Sequence, residues 1–86
     1  MPDRSLAEIA HEIRGDWTSL SNSPAEEYVT AMSELRTLDQ SYGLDTAVSV
    51  VAHFLGVCGT WRGPVARRVK DELRNMLERQ ERPVRR

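Results

Sequence analysis

The sequence predicts an all-α fold, a compact bundle of about four helices with an apolar third helix at its centre. Three observations carry this expectation. Apolar residues recur at spacings of three and four in three separate stretches, helix-start signals stand ahead of them, and 86 residues suffice for one domain only. A chain of this length buries about 60% of its unfolded surface, so stability is expected to be modest and a dimer or partner would add to it. We expect a single helical domain over residues 1–86, ordered from about 5 to 80, with 82–86 as a flexible tail.

The first helix is announced by Ser5-Leu6-Ala7-Glu8, a capping box in which hydroxyl and carboxylate satisfy amides that a first turn leaves free. Leu6, Ile9, Ala10, Ile13 and Trp17 then form one stripe, while Gly15 limits the secure part to about Arg14 and leaves 16–20 open. Ser23-Pro24-Ala25-Glu26 reads as a second start, with Ser23 as cap, Pro24 in the first helical position and Glu26 reaching back. Helix two is expected from about 24 to 41, buried through Tyr28, Val29, Met32, Leu35 and Leu38 and stopped by Gly43.

Asp45 is the expected cap of the third helix, which is apolar on most sides from Ala47 to Val57. A buried strand competes there because valine is frequent, but Thr46, Ser49, His53 and Gly56 fall on one helical stripe, which favours a helix. After a connector from Gly59 to Gly63, Pro64 opens the fourth helix, buried through Val65, Ala66, Val69, Leu73, Met76 and Leu77 and ended by Pro83. On its outer face Arg67 with Asp71, Arg68 with Glu72 and Arg74 with Glu78 are expected to pair four apart.

The net charge of −1 hides a division along the chain. Residues 1–61 carry three arginines against nine acids, whereas 62–86 carry eight arginines and Lys70 against four acids. The basic third implies an anionic partner for that end, or attraction between the halves within one chain or across a dimer. The longest apolar stretch, 47–58, is too short and too interrupted to span a bilayer of about 30 Å, and the amino end reads as amphipathic and not as a signal segment. With one cysteine there is no internal disulfide, so the expected setting is cytoplasmic, with no membrane partner.

No constellation reaches the standard of an active site, and the expectation is a protein that is not an enzyme and needs no cofactor. Asp45, Ser49 and His53 are spaced by four, but the histidine is not between the other two, and the ends stand about 12 Å apart on a helix. Glu8-x-x-His11 has the carboxylate-histidine spacing of di-metal bundles, yet one copy is half a site; only a symmetric dimer would supply the second, so a solvated polar face is expected and no metal ligand is assigned. Cys58 reads as a small core residue, and Gly56, Gly59 and Gly63 lack the strand and lysine of a phosphate loop.

Two surfaces remain. Trp61-Arg62, on the connector, combines the residue types most enriched in binding hot spots, and together with Asp16-Trp17, at the end of the first helix, makes the expected contact surface for a protein partner. The competing reading folds Trp61 back over the bundle while Arg62 pairs with an acid of the first half. Arg67, Arg68, Lys70 and Arg74 form the alternative, a nucleic-acid-binding face of a small regulatory protein, although the acids interleaved with them also fit a simple salt-bridged surface.

Ile9-Ala10-x-Glu12-Ile13-Arg14-x-Asp16-Trp17, Tyr28-x-x-Ala31-Met32, Tyr42-Gly43-x-Asp45, Phe54-Leu55 and Trp61-Arg62-Gly63-x-x-Ala66-Arg67-x-x-Lys70-x-Glu72-Leu73 together cover most of the chain. This pattern resembles that of small helical proteins encoded by phages, plasmids and integrative elements of Gram-positive bacteria, a group with no established activity. The resemblance implies a bacterial or phage setting and an accessory role, and carries over no catalytic residue. The arginine-rich end from Arg79 to Arg86 departs from the pattern.

Overall fold

The first helix, α1 (Leu6–Asp16), begins where the capping box places it: Ser5 Oγ accepts from the Glu8 amide at 3.1 Å and Glu8 Oε1 accepts from the Ser5 amide at 2.9 Å. The next two free amides of the first turn, of Leu6 and Ala7, donate to the carbonyls of Arg36 and Leu35 at 2.9 Å, so a distant segment completes the cap. The structure, a computed structural model, describes residues 4–43 and 45–81. The expected tail 82–86 and the stop at Pro83 lie outside the described residues.

After α1 the chain makes a 3-10 turn over Leu20–Asn22 and enters α2 (Glu26–Met32). This helix is shorter than the sequence suggests at both ends. Ser23 Oγ donates to the Leu20 carbonyl and accepts from the Ala25 amide, which makes a turn instead of a helix cap, and Glu26 reaches Arg14 at 3.5 Å instead of turning back. At the other end Ser33 Oγ donates to the Thr30 carbonyl, and the amides of Glu34 and Leu35 bond three residues back, to Ala31 and Met32. The helix unwinds there into tight turns because the Leu35 and Arg36 carbonyls are engaged by α1. Leu35 and Leu38 are buried nonetheless, so the apolar stripe that the spacing predicts continues into the core beyond the end of the helix.

Gly43 does not end a helix. It stands, at φ 60°, in the turn between β1 (Ser41–Tyr42) and β2 (Asp45–Thr46), which pair antiparallel with Ser41 opposite Thr46. Asp45 is therefore in a strand, and the cap of α3 (Ala47–Val57) is Thr46, whose Oγ1 accepts from the Ser49 amide at 3.0 Å. The Ala47 amide donates back to the Gln40 carbonyl at 2.9 Å, fixing the hairpin against the helix.

Pro64 opens α4 (Pro64–Glu81), and the Gly63 carbonyl before it accepts the Arg67 amide at 3.0 Å. Gly63 has φ 113°, a backbone region that residues with a Cβ rarely adopt. The main helix contacts run α1 to α2, α2 to α3, α3 to α4 and α4 to α1, a closed ring of neighbours, with the apolar third helix between α2 and α4. Every buried side chain among the described residues is apolar, and no helix among them is long and apolar enough to cross a membrane.

Candidate functional site

The connector between α3 and α4 is where the structure gathers most of the residues singled out in the sequence. Trp17 follows the last turn of α1, Phe54 comes from the third turn of α3, and Trp61 comes from the connector. The two indoles stack at 5.6 Å between centroids and 4° between planes, and Phe54 meets both edge-on at 6.4 Å. Trp17 is 4% exposed and Trp61 2%, so neither ring is offered to a partner. This corrects the expectation that Trp17 and Trp61 are contact residues: a chain of this size requires its largest rings in the core.

Polar ends of the aromatic cluster are satisfied within the fold. Trp61 Nε1 donates to Asp16 Oδ2 at 2.8 Å, linking the connector to the end of α1, and Trp17 Nε1 donates to Ser19 Oγ at 3.1 Å. Lys70 Nζ donates to the Trp61 carbonyl at 2.6 Å and stands 5.9 Å from the centroid of its ring. Trp61 thus folds back as the competing reading expects, but the acid of the first half is taken by its own indole. Arg62 is exposed and, among the described residues, has no ion pair or hydrogen-bond partner for its side chain.

The four basic residues proposed for nucleic acid divide. Arg67, Lys70 and Arg74 lie three and four apart on one stripe of α4, and with Arg62 they line an open groove of about 390 Å³ that holds one acid, Asp71. Arg67 has no side-chain partner among the described residues, and Arg74 makes a 3.3 Å pair with Asp71, both side chains well exposed. Arg68 faces away and pairs with Glu12 of α1. Arg4 completes that network, reaching Glu12 at 2.8 Å and both oxygens of Glu72 at 2.7 and 3.1 Å. The Arg68 guanidinium, with Arg4, holds the Glu12 carboxyl below the usual range, and Glu72 foremost pushes the Arg4 guanidinium upward. The pairs four apart expected along α4 are replaced by these contacts: the acid on α1 supplies a partner that spacing within one helix cannot reveal.

The remaining constellations are spent on structure. His53 Nδ1 lies 2.8 Å from the Ser49 carbonyl and 3.3 Å from Ser49 Oγ, one turn back on its own helix, while Asp45 stands outside that helix in β2. The exposed ring stacks on Tyr28 at 5.6 Å, a contact that no sequence spacing indicated. Glu8 is engaged by the capping box, and among the described residues no three His, Cys, Asp or Glu side chains gather as a metal set. Cys58 is buried, and burial pushes its thiol up, away from the reactive thiolate. Comparison with protein-family models, with curated proteins and with solved structures finds no match to this chain.

Proposed function

We propose that this chain is a non-catalytic interaction module that binds an acidic surface of a partner protein through the α3–α4 connector and the adjoining stripe of α4. The observation that carries the reading is the groove formed by Arg62, Arg67, Lys70 and Arg74, in which the guanidiniums of Arg62 and Arg67 make no ion pair among the described residues and the one acid, Asp71, is paired with Arg74. The rest of the α4 surface supports it by contrast, since Arg68 and Glu72 are engaged with Glu12 and Arg4. Arginine is enriched at interfaces because its planar fork binds carboxylates with defined geometry and sheds water at low cost. Asp16 borders the connector but is taken by Trp61, and its role is to hold the loop in place. The sequence resemblance to proteins of phages and integrative elements gives the proposed setting: an accessory protein in a bacterial cytoplasm.

A nucleic-acid partner is the second reading, favoured by the same run of positive charge. Arg67 to Arg74 spans about 10 Å along the helix, enough for two phosphates of one strand. Withdrawal of Arg68 into its contact with Glu12 leaves the cations clustered round the connector instead of in a row that follows a backbone, which weighs toward protein.

The test is affinity capture from a bacterial lysate, with and without nuclease, using the wild type, Arg62→Glu/Arg67→Glu, and Arg36→Glu as a basic control elsewhere on the surface. The reading expects a protein retained by the wild type and the control and released by the double reversal. Retention indifferent to the reversal, or a signal that disappears with nuclease, would overturn it.

A further inference from the structure

We infer that the group received by the connector groove is a phosphoryl dianion carried on a side chain of the partner protein; this rests on the reading of the groove as the partner surface. The charge count argues for it first. Arg62, Arg67, Lys70 and Arg74 face one acid, Asp71, and a lone carboxylate would leave most of that excess in place. A phosphate monoester brings close to two negative charges and three acceptor oxygens, so it can take two arginine forks and an ammonium together, where a carboxylate has two oxygens for the same donors.

The second argument is preorganisation. The Lys70 ammonium has three donors, of which one is fixed on the Trp61 carbonyl at 2.6 Å, leaving two held at a defined place instead of on a free stem. Trp61 is itself anchored by Asp16 and by its stack on Trp17, so the inner wall of the groove is part of the core. Arg62 and Arg67 are uncommitted among the described residues, and the Asp71–Arg74 pair is an exposed contact that a stronger anion displaces at small cost. The site is a fixed cation surrounded by movable forks, and its ligand is a compact group of high charge density. An extended row of singly charged phosphodiesters would leave the forks without their third acceptor.

The experiment is nitrogen-detected NMR titration of the whole chain with inorganic phosphate, O-phosphoserine, acetate and a short duplex DNA at matched ionic strength. Saturable shifts at Arg62, Arg67, Lys70 and Arg74 are expected with phosphate and O-phosphoserine, at least about tenfold tighter than with acetate. Arg67→Glu should weaken both by at least about tenfold, and Arg36→Glu should leave them unchanged. Equal response to acetate and phosphate means general screening and overturns the assignment. Binding of the duplex much tighter than of O-phosphoserine overturns it in favour of nucleic acid. If phosphate fails while capture from the lysate survives, the dianion is wrong and the protein partner stands; if both fail, the groove is not the partner surface.

Discussion

Trp61 and Arg62 are neighbours in sequence with opposite duties, one closing the core and the other facing water. Nothing in the local pattern distinguishes them, because a connector has no period from which to read a buried side. What decides is Asp16, 45 residues away, which accepts the indole N–H at the end of α1. Asp16→Ala should cost about 1–3 kcal/mol in urea unfolding, since the indole donor is left without a partner at a buried ring. Asp16→Asn keeps an acceptor at that place and should cost less than half as much. Equal loss from the two variants would mean that the bond contributes nothing specific. Lys70 was legible as a basic residue but not as a brace, since the atom that it holds is a backbone carbonyl on another element.

Among elements, α1 and α4 are joined by the Arg4–Glu12–Arg68 and Arg4–Glu72 contacts, and their pH dependence follows from the direction of the Glu12 shift. The Glu12 carboxyl is lowered in the folded chain, so its stabilisation is fully present above the unfolded glutamate value of about 4.3 and is lost as pH falls through the lowered folded value. Glu12→Gln should flatten the acid side of a plot of urea midpoint against pH, and an unchanged acid limb would count against the network. The turn into α4 depends on Gly63 at φ 113°. Gly63→Ala should destabilise by about 1–3 kcal/mol through backbone strain alone, since a Cβ there meets no atom within 4 Å. The capping box of α1 was readable because all its atoms lie within four residues. The end of α2 was not, because it is set by carbonyls that serve α1, a helix more than twenty residues earlier.

At the scale of the molecule, an all-helical ring is built on apolar positions that the sequence displayed almost completely, from Leu6 through Leu73 to Met76. Burial also explains why Cys58 should resist thiol reagents in the native protein and react freely once urea unfolds the chain; rapid modification without unfolding would place it outside the core. The charge division is only partly internal. Arg4, Glu12, Arg68 and Glu72 neutralise one another, while the connector groove keeps its positive excess, and that remainder is what an anionic partner would recognise. The claim on which the rest depends is that the aromatic cluster holds the fold while the exposed Arg62 beside it does not. Urea unfolding of Trp61→Ala beside Arg62→Ala tests it directly. The alanine in place of tryptophan should cost about 3–5 kcal/mol and the alanine in place of arginine no more than about 0.5 kcal/mol in either direction. Similar losses from the two, or a Trp61→Ala variant as stable as the wild type, would contradict it.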